Sequence, residues 1–101
     1  MGLLSEERIT EGLAGLEGWE WDRKAGAIRR SVEMPDFISG IHLVTAVAHV
    51  AEEVDHHPDI DIRYTTITFH QTTHAAGGIT QADLDLAARI DALAAEALPR
   101  P

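Results

Sequence analysis

Hydrophobic periodicity along this chain switches from helical to alternating and back twice, and breakers mark three of the changes: Gly18, Pro58 and the pair Gly77-Gly78. Ser5 is placed to cap a first helix, with Glu6 and Glu7 at its positive end and Ile9, Leu13 and Leu16 at i, i+4 and i+7 before Gly18. Trp19 to Asp22 and Ala27 to Met34 read as strands around Arg23-Lys24-Ala25-Gly26, with Ile28, Val32 and Met34 on one face. Asp36 caps a long second helix on which Phe37, Ile41, Val44, Ala48 and Ala51 mark an apolar stripe. It should end near Val54, because Pro58 pushes His57 out of the helical region. Asp61 to Tyr64 and Thr66 to Thr73 are rich in β-branched and aromatic residues and predict a second strand pair. Thr80-Gln81-Ala82-Asp83 has the form of a capping box, and Leu86, Ile90, Leu93 and Ala97 carry a last helix toward Pro99.

The order is αββαββα. Strand pairs joined by tight turns imply an antiparallel sheet, so the expected fold is α+β, four strands with three helices on one face. A sheet face or edge is then left for another subunit. With 101 residues, 45% of them hydrophobic, the whole chain from 1 to 101 is expected to form a single domain.

Charge and composition exclude several functions. Eight basic against seventeen acidic side chains give a net charge of −9, which repels a phosphate backbone and argues against nucleic acid or an anionic membrane as partner. Without cysteine there is no disulfide, thiolate nucleophile or Cys-containing zinc site. No basic start with a long apolar run opens the chain and no stretch approaches a membrane span, so a cytoplasmic location is expected.

The chemistry-bearing residues gather in one region. Glu52, His56, His57 and Pro58 are followed by Tyr64, His74 and Asp83. Histidine donates and accepts protons near neutrality, so three of them beside acids suggest proton traffic. Structural readings stand beside this one. His56-His57 at a helix end also reads as C-terminal capping, Asp83 as the acid of the capping box, Glu52 as a solvated helix acid and Tyr64 as a strand aromatic in the core. Six histidines invite a metal site as well, with His42, His49 and His56 seven apart and His70 and His74 four apart. No H-E-x-x-H pattern accompanies them, and no metal is expected. Trp19 and Trp21 read as core or interface residues.

These pieces together resemble the pterin-4a-carbinolamine dehydratase family, also known as the dimerisation cofactor of a homeodomain transcription factor. The resemblance is carried by Gly18-Trp19, Arg30, Asp36-Phe37, Ala51-Glu52, His56-His57-Pro58-Asp59-Ile60, Tyr64, Thr73-His74, and Gly78-Ile79-Thr80 with Asp83. It covers nearly the whole chain. It implies His56, His57 and His74 as catalytic and substrate-binding histidines, Glu52 and Asp83 as supporting acids, Pro58 as the residue that shapes the turn, and a supporting role for Tyr64. It also implies a homodimer or homotetramer without a cofactor, acting on a small-molecule pterin and linked functionally to an aromatic amino acid hydroxylase in tetrahydrobiopterin recycling. A dimerising pterin-binding or coactivator-like protein without catalysis is the alternative within the family.

The implied reaction eliminates water from 4a-hydroxytetrahydrobiopterin to give quinonoid dihydropterin. Hydroxide is a poor leaving group, so an acid must protonate the departing oxygen while a base takes the N5 proton. His56 and His74, from different elements, are the expected proton-transfer pair, with His57 holding the pterin. Glu52, about one turn before His56, is positioned to bond an imidazole or the pyrimidine edge. The chain departs from the family pattern at Val32, Met34 and Leu43, where phenylalanine is frequent, at Thr65, where asparagine often follows the tyrosine, and at Gln71, where an apolar residue is usual. Gln71 shares a strand face with Ile67 and Phe69, so its amide must find partners in the core or lie at a subunit interface.

Overall fold

The computed structural model describes residues 2–98. Helix α1 spans Glu6–Ala14, strand β1 Glu20–Asp22, β2 Ala27–Glu33, helix α2 Phe37–Val54, β3 Asp59–Arg63, β4 Thr66–Gln71 and helix α3 Gln81–Ala97, with one 3-10 turn at His74–Ala76. The αββαββα order and the four-stranded antiparallel sheet are as expected. The strand order is β1-β2-β4-β3, so the two hairpins meet along β2 and β4.

Register explains the two faces of the sheet. Ile28 pairs with Gln71, Arg30 with Phe69 and Val32 with Ile67, while Ile60 and Ile62 of β3 pair with Phe69 and Ile67. Directly opposed residues share a face, so these side chains point toward the helices. The other face carries a polar ladder. Arg29 pairs with Glu20 and Asp22, the Ser31 and Thr68 hydroxyls meet at 2.8 Å, and His70 reaches Asp61 at 2.8 Å.

The elements start and stop for local reasons. Ser5 caps α1 as expected, but the helix ends at Ala14 rather than near Gly18, because Gly15 takes the cap. Leu16, beyond that end, still packs on the core. Trp19 precedes β1 instead of opening it. It is buried and donates Nε1–H to Asp91 Oδ1 at 2.7 Å, where the Arg30 guanidinium also binds. Trp21 lies within β1, half-buried beneath the Arg23 guanidinium. Asp36 caps α2 by accepting the Ser39 N–H at 2.8 Å, and this bond holds its carboxyl below the usual carboxylate range. The second hairpin is displaced from expectation: β3 begins at Asp59 rather than Asp61, and β4 ends at Gln71 rather than Thr73. Pro99 lies outside the described residues.

Apart from Ala51, the apolar stripe expected on α2 is not its most buried face. Gly40, Leu43, Val47, Val50 and Ala51 are buried, whereas Phe37 is 49% exposed, Ala48 is exposed, and Ile41 and Val44 are half-buried. The cause is that α2 is apolar around much of its circumference, so periodicity does not select one side. With 18 residues and mean hydropathy 1.2 it is, by length and composition alone, long and apolar enough to cross a bilayer, contrary to the expectation that no stretch approaches this. One side is nonetheless committed to the sheet. A Cβ on Gly40 would stand 3.1 Å from Ile67 Cδ1, so the helix axis lies close over β4.

Gln71 is fully buried within this core and is not an interface residue of a surface strand. Its Nε2 donates to the Asp83 carbonyl at 3.4 Å, and its Oε1 has no partner. An orphaned buried acceptor costs about 1–3 kcal/mol, more than so long a hydrogen bond returns. Gln71→Met, which keeps the length and removes both polar atoms, is therefore expected to stabilise the fold by about 1 kcal/mol in urea denaturation. A loss of stability would show that the amide is better satisfied than its geometry indicates.

Candidate active site

Helix α2 ends in a Schellman motif that aims His56. Asp55 takes the left-handed conformation, φ 52°, its N–H bonds the Glu52 carbonyl at 3.4 Å, and the His56 N–H bonds the Ala51 carbonyl at 3.1 Å. The chain then turns through His57 and Pro58 into β3. The helix stop comes from Asp55, in a position usually taken by glycine, and not from Pro58.

The start of α3 lies against this end. Asp83 is fully buried, and the expected capping box with Thr80 forms. Asp83 Oδ2 accepts the Thr80 N–H at 2.8 Å and the Thr73 hydroxyl at 2.9 Å, while Oδ1 meets His56 Nε2 at 2.6 Å. Asp83 thus caps α3 through Oδ2 and reaches His56 through Oδ1. Asp83 acts as an acceptor on its other oxygen, where two donors converge, so the His56 contact is assigned as Nε2–H donating to Oδ1. Nδ1 of His56 then has no protein partner among the described residues.

The other site residues lie at different depths. The His56 side chain is 14% exposed and that of His57 55%. Glu52 bonds His57 Nε2 rather than His56, because α2 has already ended when His56 turns inward toward α3. His74 opens the 3-10 turn, exposed and without a side-chain hydrogen bond among the described residues. That turn is closed by a bridge between Thr73 and Gly78, and Thr73 is joined to Asp83, so the strand end leading to His74 and the turn bearing His56 are tied to one carboxylate.

Tyr64 does not join them. It sits at the β3–β4 hairpin tip with φ 51° and is 77% exposed, so it is neither a core aromatic nor part of the histidine cluster. The five residues of β3 separate it from the His-His-Pro turn by roughly 17 Å at 3.3 Å per residue. The strand prediction that ran to Tyr64 misread a turn residue for a β-former.

A groove of about 600 Å³ opens beside His56, lined also by Val54, Ala82, Asp85, Leu86 and Arg89. His57, His74 and Glu52 are not among its lining residues. The groove is mainly apolar, with Asp85 held by Gln81 and Arg89 facing Glu53 at 4.0 Å along its rim. Apart from His56, none of this lining was singled out as a functional residue in the sequence, since the small and mixed residues that α3 contributes carry no motif. Thr80 was read as a helix cap and Thr73 only as part of the family resemblance, and the contact between their hydroxyls becomes visible once the carboxylate beside them is placed.

Comparison with known proteins agrees with the fold. The family model described as pterin 4 alpha carbinolamine dehydratase matches residues 2–93. A protein of Mycolicibacterium smegmatis named "Putative pterin-4-alpha-carbinolamine dehydratase" is 54% identical over 91 residues, covering 90% of this chain and 95% of that protein. A protein of the same name from Mycobacterium avium is 50% identical over 93 residues, covering 92% and 97%. Among solved structures, a transcriptional coactivator/pterin dehydratase from Brucella melitensis superposes with TM-score 0.86 at 32% identity, over 90% of this chain and 97% of its own. A pterin dehydratase-like protein identified as a RuBisCO assembly factor in the alpha-carboxysome shares the fold, with TM-score 0.65 at 24% identity over 77% and 90%.

Removal of the Asp83 carboxylate would leave the Thr80 N–H, the Thr73 hydroxyl and His56 Nε2 without their acceptor. Asp83→Ala is expected to cost about 3 kcal/mol in urea denaturation, and Asp83→Asn less, since its carbonyl oxygen in the place of Oδ2 still accepts two of the three donors. Equal losses in the two variants would mean that charge, not hydrogen bonding, sets the contribution.

Proposed function

The chain belongs to the pterin 4 alpha carbinolamine dehydratase family, and on that premise we propose that it is an active dehydratase, eliminating water from a 4a-hydroxytetrahydropterin by histidine acid–base catalysis. The observation that carries the reading is the buried Asp83 bound to His56, because it commits one imidazole nitrogen to the protein and leaves Nδ1 to exchange a proton with a ligand. The reaction moves two protons and breaks one C–O bond. Protonation of the 4a-oxygen releases water, the N5 lone pair forms the new double bond, and a base takes the N5 proton. Atoms and charge balance without an oxidant or reductant. His56 and His74 carry these transfers, and His57, oriented by Glu52, binds the pterin edge. The substrate is taken to arise by hydroxylation with a tetrahydropterin, which connects the protein to an aromatic amino acid hydroxylase and to tetrahydrobiopterin recycling.

Stopped-flow absorbance of quinonoid dihydropterin formation from freshly generated 4a-hydroxytetrahydropterin tests this directly. The wild type is expected to accelerate the step, and His56→Ala or His74→Ala to lower the catalysed rate on the order of 100-fold. Folded wild type without acceleration would sink the enzymatic reading and leave a pterin-binding or coactivator-like role.

The same reading includes a homo-oligomer. Its support is the uncovered side of α2, where Phe37 and Ile38 stand 49% and 57% exposed beside the half-buried Ile41 and Val44. Sedimentation velocity at micromolar concentration should show a dimer or tetramer for wild type and a shift toward monomer for Ile38→Glu. A monomeric wild type would remove this part of the proposal.

A further inference from the structure

We propose that Thr73 is a positioning residue that, through Asp83, sets which nitrogen of His56 is protonated and at the same time seats the turn bearing His74. Its effect on turnover rests on the dehydratase reading, whereas its effect on proton placement does not. Thr73 lies just beyond β4, half-buried, with Oγ1 2.9 Å from Asp83 Oδ2 and 2.8 Å from Thr80 Oγ1. An ionised carboxylate only accepts, so the Thr73 hydroxyl proton points to Asp83. The Thr80 hydroxyl must then give its own proton to Thr73 Oγ1, since the two oxygens share one contact and Thr73 has spent its proton. Each of the two hydroxyl protons thereby meets an acceptor.

The consequence falls on the far oxygen. Asp83 Oδ2 is held from two directions, by the Thr80 N–H at 2.8 Å and by the Thr73 hydroxyl, so the carboxylate plane is locked. Oδ1 is thereby aimed at His56 Nε2, 2.6 Å away, and His56 is kept in the tautomer that leaves Nδ1 as its free nitrogen. A carboxylate held only by the helix N–H would turn more freely about its Cβ–Cγ bond, and the His56 proton would be less firmly placed.

The main chain of Thr73 does the second half. Its carbonyl accepts N–H groups from Ala76, Gly77 and Gly78 at 3.0, 3.0 and 3.3 Å, and its own N–H donates to the Gly78 carbonyl at 2.8 Å. His74 lies inside the turn closed by these bonds. A β-branched residue at a strand end has an ordinary structural reading, which valine would serve as well. The hydroxyl is what distinguishes the two.

Thr73→Val keeps the branch and removes the hydroxyl, and Thr73→Ser keeps the hydroxyl. Imidazole ¹⁵N NMR of the full chain reads the His56 tautomer, and stopped-flow kinetics read kcat, KM and the pH profile. Neutral His56 is expected to be protonated at Nε2 in wild type and in Thr73→Ser. In Thr73→Val the Nδ1-protonated form should grow, with kcat lower by about tenfold, KM nearly unchanged and the pH profile shifted. Circular dichroism monitors folding, and Thr73→Ala replaces the valine variant if that one does not fold. A wild-type His56 protonated at Nδ1, or a folded hydroxyl-free variant with unchanged tautomer and rates, would overturn the proposal. If the tautomer responds in a protein that does not dehydrate the pterin, the dehydratase reading fails and the positioning role stands.

Discussion

One buried carboxylate holds together the parts of this molecule that carry chemistry. Asp83 sits in the first turn of α3, where it completes the helix cap, and from there it reaches the end of α2 through His56 and the end of β4 through Thr73. A carboxylate without exposure is tolerated only when its lone pairs are used, and here three donors use them. The arrangement makes stability and site geometry the same problem. The histidine cannot be moved without unpairing a buried acceptor, and the acceptor cannot be moved without uncapping a helix.

The sheet supplies the platform that makes such convergence possible. Antiparallel hairpins meeting along β2 and β4 leave the ends of α2, β4 and α3 at one end of the layer, and the His-His-Pro turn lies there too. The opposite end holds the β3–β4 hairpin tip with Tyr64, near the start of α2, since the Met34 N–H bonds the Thr65 carbonyl. An 18-residue helix at 1.5 Å per residue spans about 27 Å, which is why Tyr64 and His56 lie at opposite ends of the layer.

Most of the fold was legible because its signals are local. The caps at Ser5, Asp36 and Thr80 and the alternation in β2 each act within a few residues, and the three helices and that strand begin where they said. What could not be read depends on contacts distant in sequence. The core side of α2 is chosen by the sheet beneath Gly40, since both candidate stripes are apolar. Tyr64 has strand propensity, yet a two-residue hairpin loop requires a positive φ at that position, and topology overrode propensity. Glu52 was spaced to reach His56 if the helix continued. Asp55 in the left-handed conformation ended the helix, and the pairing passed to His57.

The site is divided into a fixed half and an open half, and that division bears on how a small planar ligand would be handled. Asp83, Thr73, Thr80 and the inner nitrogen of His56 are mutually satisfied inside the protein, so their positions are set before any ligand arrives. His57 and His74 are exposed, and among the described residues Glu52 is the one acid that bonds either of them. Preorganised groups contribute most where charge develops, because they need not reorient in that step. Exposed side chains contribute where a ligand must enter and leave. Gln71 extends the fixed half by one layer: its amide lies beneath the Asp83 carbonyl, in a position where an apolar residue would close the core more completely. Polar character at this end of the sheet thus runs deeper than the cap of α3 alone requires, and the cost is concentrated in one orphaned oxygen immediately behind the residue on which the histidine depends.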